Sequence, residues 1–161
     1  MKEQGVPDVS EPIRIGQLEI QYLQEGDERC QISCFEMRVP PGSNVPPPHS
    51  HAGNEELIYV LEGTLRCTVG NETRDLTAGQ VIGTPRGGVH AFSNPHATLA
   101  RVLVMNTPGI EAQYFRDVGA VINAGGPPDR DKLIETMGRY GLALARPSIT
   151  PAVSSGATGS M

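Results

Sequence analysis

The sequence predicts an all-β fold, a barrel or sandwich of short strands followed by two short helices. Three observations carry this reading. Apolar and polar residues alternate over short stretches from Ile13 onward, glycine and proline turns separate those stretches, and helical spacing appears only after Pro108-Gly109.

Residues 1–12 are polar, carry Pro7 and Pro12, and are expected to form a flexible arm. Ile13, Ile15, Leu18, Ile20 and Tyr22 then alternate around Gly16, the pattern of one or two short strands. Gly26-Asp27-Glu28 is a turn. Residues 31–39 give the next strand, with Phe35, Met37 and Val39 on one face and Cys34, Glu36 and Arg38 on the other. Pro46, Pro47 and Pro48 cannot sit inside a helix, so the approach to His49 is extended. Glu56 opens the apolar run 57–61, which ends at Gly63.

Residues 64–69 alternate again, Gly70-Asn71 supplies a tight hairpin, and residues 72–76 return, making a β-meander. Ala78-Gly79 turns the chain into residues 81–83, and Pro85-Arg86-Gly87-Gly88 turns it once more toward His90. Residues 98–106, apolar except near Arg101, predict a strand buried on both faces. The barrel is thus expected over residues 13–108.

A helical extension is predicted over residues 109–146, packed over one mouth of the barrel. Ile110, Tyr114, Phe115 and Val118 fall at helical spacing, as do Leu133, Ile134, Met137 and Tyr140, with Asp129 as N-cap and Gly141 as stop. Both apolar stripes read as core packing rather than a cofactor box. Residues 147–161, rich in Ser, Thr, Gly and Ala, predict a disordered tail.

Composition narrows the function. At 161 residues the chain fits one domain, and 13 basic against 18 acidic residues leave a net charge of −5 with no basic cluster. That balance speaks against a nucleic-acid partner. No apolar run reaches bilayer length and residues 1–5 lack the apolar core of a signal peptide, so a cytoplasmic protein with no membrane partner is expected. Three cysteines, Cys30, Cys34 and Cys67, show no paired zinc spacing and read as reduced thiols.

The chemistry concentrates in two segments. His49 and His51 are two apart on an extended stretch, so both imidazoles point to one side as a chelating pair. Glu56 adds a carboxylate, so two nitrogens and an oxygen are expected to converge from two neighbouring strands. Glu56 is preferred to Glu55 because its parity groups it with Ile58 and Val60, whereas Glu55 shares the side of Leu57 and Tyr59. His90 follows the second turn. His96 reads as a loop residue, and Arg66, Arg86 and Arg101 as solvated or paired.

Together the segments resemble the cupin family, whose first motif runs Gly, His-x-His, Glu, Gly and whose second runs Gly, Pro-x-Gly, His, Asn. Gly42, His49, His51, Glu56 and Gly63 fill the first with one extra residue before His49; Gly79, Pro85, Gly87, His90 and Asn94 fill the second without a gap. The resemblance is tight over residues 42–94. It implies a jelly-roll barrel with one divalent transition metal, Fe, Mn, Ni, Co, Cu or Zn, held by His49, His51, Glu56 and His90. Within the family the chain is most similar to short single-domain cupins of the quercetin-dioxygenase-like type, where the matching glutamate is expected to accept a substrate proton. Family members commonly cover sheet edges by pairing subunits, so a homodimer is expected.

Three imidazoles and a carboxylate suit first-row metals and leave positions open for water, dioxygen or substrate. The expected partner is therefore a small molecule, and Ile58, Val60 and Phe92 are the expected apolar wall of its pocket. A metal-dependent dioxygenase acting on a small enolisable or phenolic metabolite is the first expectation. A redox-neutral isomerase, cyclase or lyase is the second, and a binding module without catalysis the third. The sequence has no helix-turn-helix segment that would make it a regulator, and fold alone does not choose among these.

Overall fold

Period-2 alternation of apolar residues dictates strands with one face inward, and the computed structural model, which describes residues 11–43 and 46–145, is built from eleven of them. The predicted arm up to residue 10 and the predicted tail 147–161 lie outside the described residues. In chain order the strands are β1 (Ile13–Ile15), β2 (Leu18–Gln24), β3 (Ser33–Val39), β4 (His49–His51), β5 (Glu55–Glu62), β6 (Thr64–Val69), β7 (Glu72–Thr77), β8 (Val81–Thr84), β9 (His90–Ser93), β10 (Ala100–Thr107) and β11 (Leu142–Leu144). Helices α1 (Ala112–Ile122) and α2 (Arg130–Arg139) stand between β10 and β11.

Two antiparallel sheets face each other as a jelly roll. One has the order β1-β2-β3-β10-β5-β8, the other β11-β4-β9-β6-β7. Phe35, Met37 and Val39 of β3, Ile58 and Val60 of β5 and Val102 and Val104 of β10 fill the space between them. Burial of this apolar set is the main driving force of the fold. The β6–β7 hairpin turns on Gly70-Asn71 with Val69 opposite Glu72, as the sequence predicts.

Strand β10 departs from the sequence reading. It buries Ala100, Val102 and Val104 but leaves Arg101, Leu103 and Met105 half-buried on the outside. One face meets the core. On the other, Arg101 bonds Glu36 at 2.8 Å and Glu62 at 3.1 Å, so the run of apolar letters conceals an ordinary two-faced strand.

Two helices follow β10, the second ending at its C-cap Tyr140, and the chain then adds a strand that the sequence reading lacks. Asp129 caps α2 by accepting from the Asp131 and Lys132 amides. Gly141 turns the chain at φ 76°, and β11 pairs with β4, setting Leu142 opposite His51 and Leu144 opposite His49. A three-residue strand is too short to show a period, which is why only pairing reveals it. Ile134, expected on the apolar stripe of α2, is instead exposed, while Leu133, Thr136 and Met137 are buried. Helix α1 packs on β1 and is tied to the sheet by an aromatic cluster, with Phe115 edge-on to Phe35 at 5.0 Å between ring centroids.

Candidate metal centre

An extended segment alternates its side chains, and β4 shows the consequence: Ser50 is half-buried while His49 and His51 turn inward together, 5% and 3% exposed. Strand β9 lies beside β4 with His90 directly opposite His49. The Gly87 amide donates to the His51 carbonyl at 2.7 Å, so the turn of the second motif is pinned to the strand of the first. Ring centroids of the three histidines are 4.4–5.0 Å apart, and one nitrogen from each lies within 4.8 Å of the others. Three histidines this close can hold a metal ion.

The hydrogen bonds around the rings suit that use. His49 Nδ1 lies 3.0 Å from the Pro47 carbonyl and His90 Nδ1 3.0 Å from the Gly88 carbonyl. A carbonyl only accepts, so both rings carry their proton on Nδ1 and leave the Nε2 lone pair free. This is how ligating histidines are oriented. His90 Nε2 and both nitrogens of His51 are buried without a hydrogen-bond partner, a costly state that a metal ion would relieve.

Glu56 comes from the other side of the barrel. The sequence reading sets its strand next to that of the histidines; in the structure β5 belongs to the first sheet and β4 to the second, and the carboxylate faces the imidazoles across the interior. Its Oε1 is 3.3 Å from His90 Nε2, a contact that becomes ionic when His90 takes a second proton. Its Oε2 accepts from Asn106 Nδ2 at 3.1 Å. Glu55 turns outward, 3.8 Å from Arg86, on the opposite side of the strand from Glu56.

The metal-free electrostatics are those of a compact charge cluster. Burial pushes the Glu56 carboxyl up, but the close approach of His90 and the fields of all three histidines outweigh it and hold the group at about 2. Burial drives His49 down to about 3 and lowers His51 as well. Burial acts the same way on His90, where Glu56 overcomes it and the net shift is upward.

A cavity of about 50 Å³ opens against His49, His51 and Glu56. Of the expected pocket wall, Ile58 and Phe92 line it. Val60 does not: it is fully buried four residues beyond Glu56, about 13 Å along the strand at roughly 3.3 Å per residue. Parity gives the face of a strand but not the depth at which the cavity ends. Asn106 escapes the sequence reading because its partner is fifty residues away; only the register, with Asn106 opposite Glu56, brings them together.

The second motif's Asn94 has a structural task. Fully buried, it donates to the Val39 and Thr98 carbonyls at 2.8 Å, and its backbone exchanges bonds with Gly42 and Ser43. Arg66, Arg86 and Arg101 are paired with Asp75, Glu55 and Glu36, and His96 lies 3.5 Å from Asp75. The three cysteines are free; burial lifts the Cys67 thiol to about 12 and leaves it inert. Among the described residues no helix is long and apolar enough to cross a membrane.

Comparison with known proteins agrees with this geometry. Residues 35–106 match the family model described as Cupin domain. A 96-residue stretch, 56% of the chain, is 37% identical to germin-like protein 1-1 of Oryza sativa subsp. japonica, and the match spans only 42% of that protein's length. Among solved structures, one described as a predicted oxalate decarboxylase from Thermotoga maritima superposes with TM-score 0.55 and 25% identity, over 63% of this chain and 95% of that one. A second, the TT1209 protein from Thermus thermophilus, at TM-score 0.51 and 24% identity over 61% of this chain and 84% of that one, shares the fold. Two facing sheets, the family model matched over residues 35–106 and these neighbours support one assignment: the fold is a cupin jelly roll, and that stretch of the chain is similar to the cupin domain.

Proposed function

We propose that the protein is a metal-dependent enzyme, a dioxygenase acting on a small enolisable or phenolic metabolite, with the metal held by His49, His51, His90 and Glu56. The observation that carries the reading is the set of buried imidazoles with unpaired ring nitrogens beside a cavity. A divalent metal there would polarise a substrate oxygen and, if redox-active, bring dioxygen and substrate together. The chain's own residues do the rest. His49 and His90 are held in the Nδ1–H form by backbone carbonyls, and Glu56, oriented by Asn106, is placed to take a proton.

The cavity supports a narrower substrate class than the family resemblance alone. One water needs roughly 10–15 Å³, so about 50 Å³ admits few heavy atoms; the quercetin-dioxygenase-like reading is kept for the role of Glu56, with a substrate smaller than a flavonol. The walls are apolar and carry no Lys or Arg, which suits dioxygen and a neutral substrate. Oxygen uptake by protein loaded in turn with Fe(II), Mn(II), Ni(II), Co(II), Cu(II) and Zn(II), measured with β-diketones and small phenols, tests the reading. Uptake with a redox-active metal supports it, and no uptake with any pair refutes it.

A redox-neutral lyase is the second reading, favoured by the neighbour described as a predicted oxalate decarboxylase. Against it, a dicarboxylate would meet no cationic side chain in the cavity lining. Turnover that persists without oxygen and with zinc selects it. We also propose that the chain forms a homodimer through the outer face of β5 and β8, where Leu57, Tyr59, Leu61 and Val81 are exposed together.

A further inference from the structure

We propose that Tyr114 of helix α1 orients the substrate, its phenol donating a hydrogen bond to an oxygen of a small molecule seated against the histidine cluster; the inference rests on the metal-dependent reading above. Tyr114 lines the cavity, where the other polar side chains are His49, His51 and Glu56 and every remaining wall residue is apolar. An oxygen of a small molecule seated there therefore has one phenolic donor to meet.

The ring is fixed. It is 5% exposed and stands edge-on to Phe115 at 4.9 Å and to Tyr140 at 5.3 Å. Its neighbours in the same cluster give their hydroxyls to the protein: Tyr22 donates to the Ile110 carbonyl at 2.6 Å and Tyr140 to Asp117 at 2.7 Å. The Tyr114 hydroxyl has no such partner among the described residues. At the cavity wall a ligand oxygen or water is the partner open to it. Burial, and after it the field of the Glu56 carboxylate, push the phenol's pKa up, so the group stays an O–H donor and is no nucleophile. Helical spacing alone reads this residue as core packing. The fold instead places this residue of the stripe in the wall of the cavity.

The test uses acetohydroxamate, a small oxygen chelator, titrated into Co(II)-loaded protein and followed by the visible absorption of cobalt. Tyr114→Phe keeps the ring and removes the donor. It should bind the probe roughly 10- to 100-fold more weakly, the worth of one hydrogen bond to a charged oxygen, with metal content and melting temperature unchanged. Equal affinity in wild type and Tyr114→Phe overturns the inference and leaves the metal reading intact, whereas wild-type protein that takes up no cobalt overturns both. If Tyr114→Phe does not fold, 3-fluorotyrosine at position 114 replaces it: a shift of its fluorine resonance on adding the probe supports the contact, and an unmoved resonance refutes it.

Discussion

Asn106 donates to Glu56 at 3.1 Å, so the inward carboxylate is steadied from β10, the strand paired with its own. Asn106 is 1% exposed and Glu56 faces the interior. Asn106→Ala removes a donor and leaves a buried charged acceptor short of one bond. We expect it to lower metal-free stability by about 1–3 kcal/mol, read from urea unfolding. Unchanged stability would show that the bond does not hold the carboxylate.

Metal-free stability should peak near pH 6.5, the ordinary histidine value. Below it, His49 and His51 resist protonation in the folded state, so the unfolded chain binds more protons and stability falls with pH. Glu56 deepens the loss between 4.5 and about 2, where the unfolded carboxyl takes a proton and the folded one does not. Above pH 6.5 the folded state holds a proton on His90 that the unfolded chain has shed, and this advantage is lost as pH rises through His90's elevated folded value. Melting temperatures of metal-free protein across a pH series check the peak; a curve rising steadily into alkali would contradict it. Metal loading should expel the His90 proton, and acid should in turn expel the metal.

The outer face of β5 and β8 gives the oligomer prediction. Glutamate in place of both Leu57 and Tyr59 puts charge on exposed positions without touching the core. Light scattering should report a dimer for wild type and a monomer for the double variant. A monomeric wild type at micromolar concentration refutes the pairing.

What the sequence makes legible is local. Alternation along β3 and β5 identifies their inward faces, and the spacing of His49 and His51 gives one side of a strand. Long-range register is what the letters lack. It sets Glu56 across the barrel from the histidines, brings Asn106 to Glu56 and adds β11 beside β4. The apolar run of β10 misleads for the same reason: its outer face is decided by Glu36 and Glu62 on the two flanking strands.

The central claim is that the histidine cluster holds a metal and Glu56 moves a proton beside it. Glu56→Gln keeps an oxygen donor but loses charge and basicity, so turnover should fall about 10²-fold or more while much of the metal remains. His51→Ala removes one imidazole of the chelating pair and should fail earlier, at binding. The direct measurement is metal content per chain after loading and dialysis, by mass spectrometry of wild type and His51→Ala. The account predicts stoichiometric metal in wild type and its near absence in His51→Ala. Equal metal in the two proteins, or none in wild type, would contradict it.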